Sequence, residues 1–200
     1  VTPNAEELIT KMARVSSPAN EDNMETAPRL LRYLIKHKHW SPFELGNLCV
    51  KIHTQRDISA QILRHRSFTY QEYSSRYSRM LPAEIPELRR QDLKNRQNSI
   101  DDLNELLVDE LEDKIAVQIG STFNLYQELL DRGVAKECAR RILPLCTPTV
   151  LYMNGTIRSW IHYIELRSAN GTQKEHQEIA LKIKDIFTKQ LPIISEALWS

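Results

Sequence analysis

Residues 64–76 form a segment that suits neither a hydrophobic core nor an ordinary solvated surface. Its thirteen positions hold three arginines, one histidine, one glutamate, three aromatic residues and four hydroxyl residues, with no glycine or proline. A guanidinium can bind a phosphate through two parallel hydrogen bonds, and an aromatic ring can stack on a flat heterocycle. The segment therefore predicts a nucleotide site, around which the rest of the chain has to be organised.

The pattern on either side of this site indicates how the chain presents it. Residues 47–55 alternate apolar and polar side chains, which is typical of a half-buried strand. A short helix is expected next, with Asp57 as its N-cap and residue 63 near its end. Residues 69–80 favour an extended strand. Three side chains would then share one face of that strand: Glu72, Ser74 and Arg76.

The remaining sequence is mostly helical in pattern. Apolar residues recur with helical spacing in six segments, which predicts helices at 5–15, 26–37, 100–132, 134–142, 156–167 and 174–190. Gly133 is placed to end the longest of them, and a second strand is expected at 149–153. The fold class is therefore α+β, a single domain over residues 1–200 with a small, mostly antiparallel sheet flanked by several helices.

Several residues outside the site have simple structural interpretations. Residues 81–99 contain two prolines and many polar side chains, which predicts an exposed loop excursion or lid. In the helix predicted after Gly133, apolar spacing makes Cys138 a packing residue rather than a nucleophile. Glu137 and Arg141 lie one turn apart, where a surface salt bridge of little consequence is expected.

Composition excludes other classes of protein. A net charge of +1 supplies no bulk field for nucleic acid or an anionic membrane. The three cysteines lack the spacing of metal ligands, so we expect a reduced cytoplasmic protein with no metal site. The chain opens with no apolar leader, and no apolar run approaches the roughly 20 residues that span a bilayer, so no membrane partner is expected.

Familiar nucleotide cradles are also missing. The sequence contains neither GxGxxG nor GxxxxGK[ST], and it has five glycines in all. It also lacks HExxH and GxSxG motifs. Phosphate contacts must therefore come from arginines, and the candidates are Arg64, Arg66, Arg76, Arg140, Arg158 and Arg167.

The spacing within the segment resembles the signature of a known family. Arg64-His65-Arg66, seven further residues and Ser74 match the RHRx7S motif of the flavin-dependent thymidylate synthases. The likeness covers roughly residues 5–195, in the same order and at similar spacing. The other matching stretches are Glu72-x-Ser74-x-Arg76-Tyr77-Ser78, His39-x-Ser41-Pro42-Phe43-Glu44, Glu137-x-Ala139-Arg140 with Leu143-Pro144, and Leu166-Arg167.

This resemblance implies a homotetramer that methylates C5 of dUMP to give dTMP. The carbon would come from 5,10-methylenetetrahydrofolate and the hydride from FAD reduced by NADPH. The residues implied for dUMP are Gln61, Arg64, Glu72, Tyr73, Ser74, Ser75, Arg76, Arg140 and Arg167. Those implied for FAD are Ser41, Arg64, His65, Arg66, Glu72, Thr156, Arg158 and His162.

The family role of Arg167 is catalytic, and it has a clear physical basis. C5 of uracil is a poor nucleophile, and loss of the N3 proton makes the ring more electron-rich. A guanidinium beside N3 favours that anion by its charge and its hydrogen bonds. On an ideal helix Arg167 also lies nearly opposite Arg158 and His162, which suggests that each active site is shared between subunits.

Two positions depart from the family pattern. Many members carry a histidine four residues after the position of Arg167, where this chain has Gly171. An asparagine common on the preceding helix is replaced by His162. His176 could substitute for the missing histidine, although an exposed helical histidine is the simpler interpretation.

Three alternatives stay open at this stage. Ser74 could be a nucleophile, but no histidine or lysine base is fixed beside it by spacing, so a hydrogen-bond donor is the preferred role. The arginine-rich segment could stack single-stranded nucleic acid, which the near-neutral charge disfavours. The chain could also be a flavoprotein that has lost the methyl transfer.

Overall fold

A computed structural model describes residues 1–199 of the chain. In chain order its elements are α1 (Ala5–Ala13), α2 (Ala27–Lys36), β1 (Asn47–Gln55), α3 (Arg56–Ile62), β2 (Thr69–Glu72), β3 (Arg90–Gln91), β4 (Ser99–Ile100), α4 (Glu105–Asp131), α5 (Lys136–Ala139), β5 (Pro148–Thr156), α6 (Ile157–Arg167), α7 (Lys174–Gln190) and α8 (Pro192–Trp199). Short 3-10 helices lie at Pro18–Asn20, Ser41–Glu44 and Arg140–Ile142.

The main sheet has three antiparallel strands with β5 in the centre. β1 pairs along its whole length with β5, from Asn47 opposite Thr156 to Gln55 opposite Pro148. β2 pairs with the other edge of β5, with Thr69 opposite Asn154. The predicted α+β class with a small antiparallel sheet is confirmed, and so are the bounds predicted for β1.

One face of this sheet forms the floor of the core. Leu48, Val50 and Ile52 of β1 are buried while the residues between them are exposed, because successive side chains of a strand point to opposite faces. Trp160 of α6 is fully buried against this face, and its indole N–H donates to the carbonyl of Leu48 at 2.8 Å. The large aromatic side chain therefore enters the core without leaving a polar atom unpaired.

Gly155 allows an unusually close approach between β5 and the segment that carries the arginines. A Cβ atom at this position would lie 2.4 Å from Cδ1 of Phe68, well inside van der Waals contact. The Phe68 ring is buried and also packs edge-on against Trp160, with ring centroids 4.7 Å apart. The ring thus fixes the loop between α3 and β2 to the core.

The longest helix, α4, packs on the rest of the chain through a small second cluster. Tyr126 is buried with Met80 and Ala139, and its hydroxyl accepts a hydrogen bond from the Met80 N–H. Elsewhere α4 exposes apolar side chains, including Leu106 and Val117. The helix ends as predicted before Gly133, whose φ of 83° is the left-handed conformation that favours glycine.

The prediction of a strand over residues 69–80 is wrong beyond Glu72. The chain turns after that residue, and the amides of Tyr77 and Ser78 both bond back to the carbonyl of Ser74. Serine side chains compete for local backbone groups, and the Arg76 amide donates to the Ser74 hydroxyl. Glu72, Ser74 and Arg76 therefore do not share a strand face.

Other local predictions also fail. Asp57 lies in the first turn of α3 but makes no capping bond, because the N-cap is Gln55. Cys138 is exposed rather than packed, and Glu137 pairs with Arg76 instead of Arg141. Helix α8 was not expected after Pro192, although proline is well tolerated in a first helical turn.

Residues 81–99 are largely irregular, apart from the two-residue strands β3 and β4, which pair antiparallel. The segment is fixed to α7 by Arg89, whose side chain is 10% exposed and binds Glu175 at 2.6 Å. Arg89 also pairs with Glu87 at 3.0 Å. Within residues 1–199, no helix combines the length and apolar character needed to cross a membrane.

Candidate active site

The loop that carries Arg64, His65 and Arg66 is held at both ends. It leaves the C-terminus of α3, and the Tyr70 hydroxyl of β2 donates to the carbonyls of Ile62 and His65 at 2.9 and 2.8 Å. Burial raises the pKa of Tyr70 to about 12, so the phenol keeps its proton and remains a donor. The neighbouring strand thus fixes the backbone of the motif.

His65 meets Arg167 across this loop. Arg167 Nε donates to His65 Nε2 at 2.9 Å, so Nε2 must be the unprotonated ring nitrogen. Burial lowers the pKa of His65 to about 4, with further contributions from the positive charges of Arg167 and His162. A neutral histidine therefore orients a charged guanidinium, and the structure joins two residues that are 102 positions apart.

His176 completes this inner network, which consists of Gln61, His65, Tyr163, Arg167 and His176. The prediction that His176 is exposed is wrong, because its side chain is fully buried. Its Nε2 lies 3.0 Å from the Tyr163 hydroxyl, and its Nδ1 lies 3.3 Å from Gln61 Oε1. Burial, then the charges of Arg167 and His65, lower the pKa of His176 to about 4.

Glu72 lies at the end of β2 and is partly buried. Two hydroxyl groups donate hydrogen bonds to its carboxylate in place of water. Its Oε1 accepts hydrogen bonds from Ser59 at 2.8 Å and Thr149 at 2.9 Å. Arg56 Nη1 approaches the same oxygen at 3.7 Å. Ser59 and Gln61 both belong to α3, so this short helix connects Glu72 to the inner network.

The residues after β2 surround a second feature, the outer cavity, of about 320 Å³. Ser75 is buried there, and its hydroxyl accepts from Arg140 Nη1 at 2.9 Å. Arg76 instead pairs with Glu137 at 2.9 Å on the exposed side. The polar and charged residues that line this cavity are Arg56, Ser75, Arg140, Arg141 and Thr147.

Tyr73 and Ser74 complete the turn beside the outer cavity. The Tyr73 hydroxyl donates to the carbonyl of Arg79 at 3.0 Å, and its own carbonyl accepts from Arg56. No side-chain base bonds to the Ser74 hydroxyl within residues 1–199, and its partner is the Arg76 amide. This surrounding favours a hydrogen-bonding role for Ser74 over a nucleophilic one.

A third feature is a cavity of about 510 Å³ between α6 and the 3-10 helix that begins at Ser41. We call it the Trp40 cavity. Glu44 accepts from Thr156 Oγ1 and from Arg158 Nη1, both at 2.8 Å. Thr156 is also the N-cap of α6, with its hydroxyl accepting from the Ser159 amide. The residues that line the cavity include Lys38, Trp40, Glu44, Ser67, Arg158 and His162.

Arg64 and Arg66 differ from the other arginines of the motif. Both side chains are exposed, and neither has a hydrogen-bond or ion-pair partner within the part of the chain that the structure describes. Their guanidinium donors therefore remain available to an anionic ligand. Among residues 1–199, no cluster of three or more histidine, cysteine or acidic side chains could hold a metal ion.

The predicted site residues therefore fall into separate groups. Gln61, His65 and Arg167 lie in the inner network, Ser75 and Arg140 in the outer cavity, and Arg158 and His162 at the Trp40 cavity. No motif or spacing in the sequence pointed to five further residues: Tyr163, Ser59, Thr149, Arg56 and Arg141. His176 carried a usable signal, since helical spacing puts it on the same face as the buried residues Ala180, Ile183 and Phe187.

Arginine-lined cavities beside a network of neutral histidines are features of a protein that binds anionic, ring-bearing ligands. The family model described as "Thymidylate synthase complementing protein" matches residues 1–193. A flavin-dependent thymidylate synthase of Synechocystis sp. is 50% identical over 96% of this chain and 89% of its own length. The flavin-dependent thymidylate synthase of Kosmotoga olearia is 35% identical over 92% of this chain and 81% of its own length. The chain belongs to the flavin-dependent thymidylate synthase family.

A solved structure supports the same assignment at the level of the fold. The UMP/dUMP methylase PolB from Streptomyces cacaoi, bound with 5-Br dUMP, superposes with a TM-score of 0.84. It is 26% identical and the match covers 96% of this chain and 89% of that one. The similarity of fold therefore extends over nearly the whole chain.

Proposed function

We propose that this protein is a flavin-dependent thymidylate synthase that converts dUMP to dTMP. The methylene carbon would come from 5,10-methylenetetrahydrofolate, and NADPH would supply the hydride through FAD. The observation that carries the proposal is the contact between Arg167 and the neutral His65 of the RHR motif. This contact supports the proposal because it would hold a positive charge beside the uracil ring, which the reaction needs in an electron-rich form.

The outer cavity suits the phosphate of dUMP. Three arginines and a buried serine line it, and a phosphate accepts several charge-assisted hydrogen bonds at once. We assign this role to Arg140 and Ser75, which line the cavity, with Arg56 as an additional positive charge. Ser74 and Arg76 lie in the same turn as Ser75, and Arg76 would exchange its ion pair with Glu137 for the phosphate. Glu72 and Tyr73 precede this turn and would also contact dUMP, with Glu72 held by Ser59 and Thr149.

The inner network suits the uracil ring. Arginine is always charged at neutral pH, so Arg167 acts electrostatically and not as a base. Its Nε is occupied by His65, while neither Nη nitrogen has a partner within residues 1–199. Those free donors would stabilise the uracil ionised at N3, which raises the electron density at C5. Gln61 lies in the same network and would contact the same ring.

The donor set fits FAD without a glycine-rich loop. Arg64 and Arg66 are free cations for its pyrophosphate, and the Trp40 cavity offers an aromatic ring beside Lys38 and His162. The residues assigned to FAD are Ser41, Arg64, His65, Arg66, Glu72, Thr156, Arg158 and His162. When bound, the flavin supplies hydride transfer, and the protein's part is to bind and orient it.

We further propose a homotetramer in which subunits share each active site. Arg158 binds Glu44 at the Trp40 cavity, whereas Arg167 binds His65 in the inner network. Helix α6 therefore contributes side chains to two separate sites. Exposed apolar residues on α4 offer surface for assembly. Mixing inactive Arg158→Gln and Arg167→Gln proteins under subunit exchange should restore part of the activity. No restoration would contradict sharing, and a mass in solution other than that of four copies would contradict the tetramer.

Spectroscopy of the purified protein tests the whole proposal. The protein should carry a flavin absorbance that bleaches with NADPH and returns when dUMP and methylenetetrahydrofolate are added, with formation of dTMP. Bleaching without dTMP would identify a flavoprotein that has lost the methyl transfer. A colourless protein that binds oligonucleotides would overturn the proposal in favour of nucleic-acid recognition.

A further inference from the structure

Gln61 is the middle of a directed chain of hydrogen bonds that runs from the exposed Gln173 to the buried His176. Its Nε2 donates to Gln173 Oε1 at 2.7 Å, and its Oε1 lies 3.3 Å from His176 Nδ1. His176 Nε2 in turn lies 3.0 Å from the Tyr163 hydroxyl. Both ends of the Gln61 amide are therefore engaged by protein groups.

The direction of this chain is set by the bond in which Gln61 Nε2 donates to Gln173 Oε1 at 2.7 Å. Because the nitrogen of the Gln61 amide faces Gln173, its oxygen faces His176. A carboxylate lies near the Gln173 end of the chain, where Glu175 binds Arg89 at 2.6 Å. Burial raises the pKa of the Glu175 carboxyl, but hydrogen bonds from Arg89, the backbone and Gln173 hold it below its usual value.

This direction fixes the proton on His176. The Gln61 Oε1 atom is an acceptor, so His176 Nδ1 must carry the proton and donate it. His176 Nε2 is then unprotonated and accepts from the Tyr163 hydroxyl. Burial keeps the His176 ring neutral, and it raises the pKa of Tyr163 above its ordinary value, so the phenol retains its proton.

We propose that His176 is a positioning residue that fixes the amide of Gln61 for recognition of the uracil ring. The inference rests on the proposed function and names a role for a residue outside the family motif. The edge of uracil ionised at N3 presents acceptors only. With its Oε1 turned to His176, Gln61 keeps one N–H free for that edge, whereas a flipped amide would present a repelling oxygen.

Two substitutions of similar size separate this role from simple packing. The amide of asparagine occupies the place of histidine Nδ1, so His176→Asn keeps a donor for Gln61 and loses the group that faces Tyr163. The amide of glutamine occupies the place of Nε2, so His176→Gln keeps the contact with Tyr163 and loses the donor for Gln61. A residue that only filled space would respond alike to both changes.

The test measures dUMP affinity of both flavin-loaded variants by calorimetry, with thermal stability and flavin content as controls. We expect His176→Gln to weaken dUMP binding about tenfold, the value of one hydrogen bond to a recognised group, and His176→Asn to stay within about threefold of the wild type. Equal affinities in both variants, whether reduced or unchanged, would overturn the proposal.

A second measurement keeps the proposal testable if a variant fails to fold. Nitrogen NMR of the wild-type protein at neutral pH should show His176 as the Nδ1-protonated tautomer, and the Nε2 form would overturn the inference. Gln173→Ala, on the accessible side, should weaken dUMP binding by a smaller factor. A wild-type protein with the expected tautomer but no affinity for dUMP would instead overturn the proposed function.

Discussion

The inner network and the free arginines of the motif are made of similar residues in opposite settings. In the inner network, Arg167 is oriented by the neutral His65 and Gln61 by the neutral His176, so both side chains are held in place by protein contacts. Arg64 and Arg66 lie only a few residues away, yet both are exposed and unpartnered within the described residues. The half proposed to recognise the uracil ring is therefore already ordered by the protein, whereas the half proposed to bind the FAD pyrophosphate has its donors free.

The largest effect should come from the inner network. Arg167→Gln removes the charge that stabilises the ionised uracil, and loss of one such preorganised donor lowers turnover by about 100-fold or more. Thymidylate formation under saturating substrates measures it, with Arg29→Gln on the exposed face of α2 as the matched control. Turnover within a few-fold of the wild type would show that the inner network is not where the chemistry is promoted.

The next effect concerns the loop that connects the two halves. Gly155→Ala should lower the free energy of unfolding by about 1–3 kcal/mol, because the added methyl group collides with the buried ring of Phe68. Gly120→Ala in α4 is the control, because a Cβ added there would meet no other part of the protein within 4 Å. Alanine is also the better helix former, which should raise the free energy of unfolding by up to about 1 kcal/mol. Denaturant unfolding should show opposite signs for the two changes.

The outer cavity, proposed to bind the phosphate of dUMP, should respond in affinity and not in turnover. Arg140→Gln removes one charged donor to the phosphate and should raise the Kd of dUMP about tenfold, while turnover at saturating dUMP changes little. Arg132→Gln, at the exposed end of α4, provides the control. A fall in turnover with no change in the Kd of dUMP would contradict the separate roles proposed for the outer cavity and the inner network.

The smallest effect should appear as a pH dependence of stability. The pKa values of His65 and His176 are about 4 in the folded protein against 6.5 for the ordinary side chain. Below pH 6.5 the unfolded chain takes up protons that the folded chain does not, so stability should fall as pH drops from about 6.5 to about 4. His176→Gln should flatten part of that slope in a denaturant series. An unchanged slope would show that His176 does not titrate as inferred.

Regular pattern made much of the fold predictable. Alternation defined β1, and helical spacing found α2, α6 and α7 close to their actual bounds, because each buries one apolar face in the main core. Turn chemistry was harder to anticipate. The Ser74 carbonyl accepts two amides, which ends β2 at Glu72 in spite of the alternating pattern that follows.

The site was predictable as a set of residues but not as a set of contacts. The motif and the family likeness singled out Gln61, His65 and Arg167, whereas nothing in the sequence says that His65 accepts from Arg167. The partners Tyr163 and His176 come from two helices that meet only in the folded chain. Buried polar groups acquire their roles from packing, which a linear pattern does not record.

The central place of β5 has a consequence for how the protein comes into being. Within residues 1–199, β1 and β2 pair only with β5, which lies 76 residues beyond the end of β2, counted from Glu72 to Pro148. During synthesis the strand that presents the motif therefore has no hydrogen-bonded neighbour in this sheet until that later segment has been made. Contacts between distant segments slow folding, because the intervening chain must be ordered first. The catalytic motif is thus assembled late, when β5 closes the sheet.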